Sequence, residues 1–328
     1  MKTPWGFDLR SLNAFVLASK TGSMAAAAQR LQMTQPAISH IIRELEASLG
    51  APLIDRSRRP FSLTPRGAFL RDEAEQILAA AQRIPSRLRE LDDGVPARLR
   101  VGIVDSLACP FVPDLLSSMH ASLDTLCVSA GLAGALREGF RDHRLDVVLT
   151  NDPMEDLEGI VRHPLLSEPY ILLVPSELPP GAEETDLRSL ARALNLMRWS
   201  SESHIGTDID QHLRRLRVEV PRHFEFDSSD TLAGIVAAGL GWAIMTPLCL
   251  LNSIARQGSA RAVPFPGPPF SRKLHLISRA GELDRVSQRM AHVSRRILRD
   301  RYLPGMLRIA PWLRNQIVIG NPKGTDPS

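Results

Sequence analysis

The 328-residue sequence predicts a multidomain α+β chain: an N-terminal winged helix-turn-helix, a linker helix and a C-terminal α/β region. Three observations carry this. The stretch 21–66 holds two helix-start signals a short turn apart, followed by an arginine-rich hairpin. Residues 70–91 repeat apolar side chains at alternating intervals of four and three. From residue 99, short β-rich runs alternate with helical runs, the pattern of α/β construction.

Residues 8–20 form a first helix with Leu9, Leu12, Phe15 and Val16 on one face, and Gly22 ends it. Ser23 is a suitable N-cap for a short helix over 24–30, whose alanines allow a second helix to approach closely. A turn falls at 31–33. Thr34 caps the next helix, and Pro36 fits its first turn because no intrahelical N–H is needed there. Ala37, Ile38, Ile41, Leu45 and Leu49 recur at helical spacing and are expected to face inward. That leaves Gln35, Ser39, His40 and Arg43 outward, and Gly50 stops the helix by adopting a left-handed C′ conformation.

A second helix of this kind enters the major groove of DNA with its first turns toward base edges. Gln35 can bond adenine at two positions, and Ser39 can donate or accept. Arg56, Arg58 and Arg59 cluster at the hairpin tip, where arginines suit phosphates or a minor groove. The candidate DNA-binding set is Ser23, Thr34, Gln35, Pro36, Ser39, His40, Arg43, Arg56, Arg58 and Arg59. An alanine-rich helical hairpin that merely packs would explain the spacing alone. It would not explain the caps, the outward polar residues and the arginines together.

Thr64-Pro65 reads as N-cap and first residue of a further helix, expected over 66–91. Its seam of Leu70, Ala74, Ile77, Ala81, Ile84, Leu88 and Leu91 calls for a partner helix. Packing on its own domain is the competing explanation. Pro85 removes one helical hydrogen bond, so a kink or early stop is expected near 83–84.

Charge divides unevenly along the chain. Residues 1–67 hold nine Lys/Arg against four Asp/Glu, and the remainder of the 40 basic and 36 acidic residues nearly cancels. A basic end on a neutral body fits a nucleic-acid module joined to a domain with another ligand. Cys109, Cys127 and Cys249 are scattered without CxxC spacing, so neither a disulfide framework nor a zinc site is indicated. The chain opens without a signal-peptide pattern, which predicts the cytoplasm. The uncharged stretch 232–251 is nearly long enough for a membrane span. Gly239, Gly241 and Pro247 punctuate it, and 242–245 reads better as a buried strand after a helix. No membrane partner is therefore expected.

In the α/β region strands are expected at 99–104, 126–129, 146–150, 171–174, 194–197, 220–226, 242–245 and 274–278. Helices are expected near 112–120, 132–141, 208–216, 229–238 and 283–299.

The run AAAAQRLQMTQPAISHIIRELEASLGAPLIDRSRRPFSLTPRG resembles the LysR-type transcriptional regulators. The likeness lies in Gln35-Pro36-Ala37-Ile38-Ser39, Leu45-Glu46, Leu49-Gly50 and Leu63-Thr64-Pro65-x-Gly67. In that family the positions of Gln35, Pro36, Ser39 and His40 tend to touch DNA. An arginine is common where His40 stands and a basic residue where Glu44 stands, and both departures weaken phosphate contacts on this helix. Three further runs, LRVGIVDSLACPFVPDLL, LREGFRDHRLDVVLT and DTLAGIVAAGLGWAIMTP, resemble the family's effector domain.

The resemblance implies a periplasmic-binding-protein-like pair of α/β lobes around a small-molecule effector of unknown identity, with no other cofactor. It places the chain crossings between lobes near 161–164 and 263–268. It also implies a linker helix that pairs subunits into a dimer or tetramer on an interrupted palindrome of double-stranded DNA, with RNA polymerase as a further partner. The expected domains are 1–66 (DNA reader), 67–94 (linker and dimerisation helix), 95–300 (effector domain) and 301–328 (C-terminal extension).

In open α/β sheets, ligands collect beyond the carboxyl ends of strands, where helix N-termini offer free amides. Ser106, Ser129, Ser201 and Ser228 stand at such corners and are the candidate effector-binding residues. Serines there are also ordinary helix caps. Asp105 and Asp230 stand where an anionic ligand would prefer neutral donors.

Other function classes fit less well. His143, His163 and His204 lie in the α/β region, but there is no GxSxG elbow, HExxH or complete phosphate loop, so no enzymatic activity is expected. A transport solute-binding protein would leave the basic N-terminal reader unexplained.

Overall fold

A computed structural model describes residues 5–57, 60–93, 98–120, 123–221, 223–253 and 260–320. The chain divides into two compact units, residues 1–91 and 92–328.

In the first unit, Asp8 caps α1 (Leu9–Thr21), accepting from the Ser11 amide at 2.7 Å in a capping box, and Gly22 closes it at φ 62°. α2 (Met24–Arg30) and α3 (Gln35–Leu49) start at Ser23 and Thr34, whose hydroxyls accept from the amides of Ala26 and Ala37. Phe15, Ala27, Ile38, Ile42 and Leu45 form the core shared by these helices. Ile42 therefore takes the inward place expected of Ile41, which is only half-buried, while Leu49 and Leu9 are exposed. Strands β1 (Ile54–Asp55) and β2 (Ser62–Leu63) pair antiparallel as the wing.

Next comes α4 (Pro65–Asp93), one element of 29 residues. It runs past position 85, so the early stop expected there does not occur. A proline deletes one rung of the ladder, and the turns on either side hold the helix.

In the second unit the chain continues through β3 (Leu99–Val104), α5 (Asp105–Met119), β4 (Leu126–Gly131), α6 (Ala133–Arg141), β5 (Val147–Thr150) and β6 (Ile160–Pro169). It then passes to β7 (Ile171–Pro175), α7 (Leu187–Ala193), β8 (Leu196–Trp199), α8 (His204–Arg215), β9 (Glu225–Phe226), α9 (Ser229–Ala237), β10 (Trp242–Met245), α10 (Pro247–Leu251) and β11 (Ala260–Pro264). It returns through β12 (Ser271–Arg279), α11 (Asp284–Ile297), α12 (Leu303–Ile309) and β13 (Val318–Ile319). Two sheets result, with orders β13-β6-β12-β5-β3-β4 and β11-β7-β10-β8-β9. Each is the centre of a lobe.

The chain passes between the sheets twice. The first passage is at Tyr170, between β6 and β7, later than the expected 161–164, because those residues lie inside β6. The second lies between Pro264 and Ser271 and overlaps the expected 263–268. The two passages touch: the Tyr170 amide donates to the Phe270 carbonyl at 3.0 Å, and their rings stack with centroids 4.2 Å apart.

Residues 303–319, expected as an extension, belong to the first lobe's architecture. β13 pairs with β6, and Met306, Ala310 and Leu313 are buried in the core. The uncharged stretch 232–251 resolves into α9, β10 and α10. Among the described residues, no helix is long and apolar enough to cross a membrane.

Candidate functional site

The reader presents the first turn of α3. Gln35, Pro36 and His40 are exposed there, Ser39 is half-buried, and Ile38, Ile42 and Leu45 anchor the opposite face. Ser23 and Thr34 act as caps, so their hydroxyls are occupied by amides of their own helices. His40 lies 3.6 Å from Glu44 one turn on, and the Arg43 Nε donates to the Ser39 carbonyl at 3.1 Å.

The wing differs from expectation at Arg56. Its guanidinium donates to Glu46 at 2.8 Å, and the same carboxylate accepts from the amides of Leu53 and Ile54. Burial pushes the Glu46 carboxyl up, but the hydrogen bonds from Arg56 and these two amides outweigh it and hold the group below its usual range. Arg56 thus clamps α3 to the wing, with half of its side chain still exposed. Arg58 and Arg59 lie outside the described residues. Glu46 stood in the sequence only as part of the Leu45-Glu46 motif, and its role needed the wing in place.

On α4 the expected seam divides. Ala74 is buried in the reader's own core, with Leu70 packed against it. Phe69, Ile77 and Ile84 remain exposed at 68%, 41% and 58%. The first part of the helix thus packs on its own domain, and an apolar face is left over.

Between the lobes lies a narrow cleft with a cavity volume of about 40 Å³, open to solvent on one side. The first lobe contributes Val104, Asp105, Ser106, Gly131 and Asn151, at the carboxyl ends of β3, β4 and β5. The second contributes Trp199, Ser203, His204, Ile205 and Asp227, from the ends of β8 and β9 and the start of α8.

Of the four serines expected to meet an effector, Ser106 lines this cleft. It is not a helix cap: Val104 holds that place without a side-chain bond, and the Ser106 hydroxyl accepts from Arg272 at 2.9 Å. Ser129 lies exposed on the edge strand β4. Ser201 is exposed beyond β8, its amide bonded to Glu225, and Ser228 caps α9 through the Thr231 amide. None of these three lines the cleft. Strand-end position alone did not distinguish a serine facing the cleft from one turned into a cap.

Arg272 organises the floor behind Ser106. Arg272 and Glu168 are cross-strand neighbours on β12 and β6, essentially fully buried, and bonded at 2.6 and 3.0 Å. The second Glu168 oxygen accepts from the Leu248 amide, and Asn252 donates to the Ser106 carbonyl. The strand passages, α5 and α10 therefore share one polar network. Nearby, the Tyr170 hydroxyl faces Asp208 at 3.4 Å, and burial pushes the Asp208 carboxyl up. Among the described residues, no group of three His, Cys, Asp or Glu could hold a metal ion.

Comparison with known proteins decides what these parts make together. The helix-turn-helix model of bacterial regulators of the lysR family matches residues 9–68, and the LysR substrate binding domain model matches 92–299. This chain belongs to the LysR family. A LysR-type regulator pairs a DNA-binding helix-turn-helix with an effector-binding domain, the two units found here.

Its relatives include a probable hydrogen peroxide-inducible genes activator of Streptomyces viridosporus, 28% identical and covering 89% of this chain and 95% of that protein. The transcriptional regulator CfxR of Cupriavidus necator is 27% identical, covering 82% and 84%. Among solved structures, a mutant of Corynebacterium glutamicum OxyR is 25% identical with a TM-score of 0.56, covering 93% and 96%. CbnR, solved with its target DNA, shares the fold at 21% identity and a TM-score of 0.62, covering 88% and 99%.

Proposed function

We propose that this LysR-type regulator reads an interrupted palindrome as a homo-oligomer and changes its grip on DNA when a small molecule enters the interlobe cleft. The observation that carries the reading is the exposed first turn of α3, backed by buried Ile38, Ile42 and Leu45. In this geometry Gln35 and Ser39 meet base edges in the major groove, while Ser23, Thr34, Pro36, His40 and Arg43 lie along the backbone. The wing arginines Arg58 and Arg59 supply phosphate contacts. Arg56 holds the wing in place through Glu46. The protein then works in the cytoplasm, meeting RNA polymerase at the promoters it occupies, without an enzymatic step.

Gln35→Ala tests the reader. It is expected to relax preference at one base pair at a cost of about 1–3 kcal/mol, with non-specific binding retained. Unchanged footprints and unchanged sequence preference would remove α3 from the major groove.

Pairing is assigned to the exposed face of α4. Ile77 and Ile84 stand seven residues apart, the repeat of a two-helix seam, and both are exposed in the single chain. Ile77→Asp places two carboxylates in that apolar contact and should yield monomers that bind a palindromic site poorly. Sedimentation velocity reads the outcome. A mutant that sediments as the parent does would move the dimer contact elsewhere.

A further inference from the structure

The cleft carries a charge pattern that narrows its ligand. Asp105 stands on the first lobe and Asp227 on the second, and both line the same space. Among the described residues no hydrogen bond or ion pair engages either carboxylate, and no lysine or arginine lines the cleft. His204, the titratable neighbour there, already faces Asp208 one turn along α8 at 3.8 Å. Both carboxylates keep solvent contact. Even so, the cleft walls push the Asp105 carboxyl up by desolvation, and the charge of Asp227 adds to the shift.

A second observation points to a ligand independently. Asn151, at the end of β5, is 6% exposed, lines the cleft and leaves its Nδ2 buried without a partner. Buried polar groups are rarely left unmatched, because each costs a desolvation penalty. The amide can turn over, so it offers a donor or an acceptor edge to whatever fills the cleft. A hydroxyl satisfies either edge.

We propose that the effector is a small hydroxylated amine, of the amino alcohol or amino sugar class, with its ammonium between Asp105 and Asp227 and a hydroxyl on Asn151. This rests on the reading that the effector occupies the interlobe cleft. The same arrangement supplies the switch. With the cleft empty, two like charges on opposite lobes oppose closure. An ammonium between them turns that repulsion into attraction, so it binds the closed arrangement more tightly and shifts the population toward it. A carboxylate ligand would add a third negative charge beside the two aspartates and is expected to bind more weakly than the amine.

The test uses the full-length protein and matched probes: ethanolamine, 2-amino-1,3-propanediol and glucosamine against glycolate, lactate and gluconate. Melting temperature and calorimetric Kd are read at millimolar concentration. At least one amine is expected to raise the melting temperature, and none of the anions. Asp105→Asn and Asp227→Asn should each weaken that amine about tenfold while leaving the unliganded melting temperature unchanged or higher, because they remove a repulsion. Gly131→Trp serves as the blocking variant, since a side chain added at Gly131 meets no atom within 4 Å and would extend into the open cleft. It should abolish the amine response.

An anion response that Gly131→Trp abolishes would overturn the charge assignment and leave the cleft as the effector site. A response of either kind that survives Gly131→Trp would remove the cleft reading and the proposal with it. Binding by no probe, or amine binding untouched by both aspartate variants, would overturn the amine assignment.

Discussion

Arg272→Met should cost the effector unit about 3–5 kcal/mol, because it leaves the buried Glu168 carboxylate without its cation. Glu168 is fully buried, and among the described residues its remaining hydrogen-bond partner is the Leu248 amide. The same change takes from the Ser106 hydroxyl the donor that fixes it at the head of α5. The expected result is a large fall in the melting transition of the effector unit. Adding Glu168→Gln should recover part of the loss, since an unpaired buried charge costs more than a neutral pair of similar size. A single variant that melts as the parent does would show that the pair is not what clamps the passages between the lobes.

The second large effect lies in the reader. Gly67→Ala would place a Cβ 2.0 Å from the Leu53 carbonyl oxygen and 2.9 Å from its carbon. That oxygen accepts the Thr64 amide at 3.0 Å, the bond that joins the wing to the start of α4. Backbone cannot yield as a side chain tip does, so the cost is expected at about 3 kcal/mol or more. DNA binding should be lost while the effector unit melts as before. Parental DNA affinity in Gly67→Ala would mean that the wing is not held by this close approach. The glycine in the Leu63-Thr64-Pro65-x-Gly67 pattern thus has a steric reason.

The reader was legible in the sequence because its signals are local. Ser23, Thr34, Gly22 and Gly50 act within a turn of their own helices, and each ends or begins a helix where its chemistry predicts. What escaped depends on distant partners. The Ile41 and Ile42 assignments differ by one position, which only packing against α1 and α2 resolves. β6 (Ile160–Pro169) was not among the expected strands, and it carries two prolines, Pro164 and Pro169, which lack the N–H a ladder uses. Pro164 falls beside the irregularity between Leu274 and His275 in the partner strand, where a missing N–H does little harm. The expected strand over 220–226 shortens to Glu225–Phe226, and Pro221 lacks the donor that a longer ladder would need.

The cleft was legible only in outline. That ligands gather at strand ends pointed to the right corners, and Ser106 stands there. The other three serines are on an edge strand, beyond a strand or in a cap. Asn151 and Asp227 line the cleft in their place. Glu168 and Arg272, 104 residues apart, meet only through the pairing of β6 with β12.

In the proposed mode of action, two copies of the α3 reader, joined through α4, recognise a two-fold symmetric site. The most direct measurement is selection of bound sequences from a pool of random duplexes by the purified full-length protein. The expected result is enrichment of an inverted repeat, with half-sites about one helical turn or a multiple of it apart. Enrichment of a single unrepeated half-site, or of no sequence at all, would contradict it.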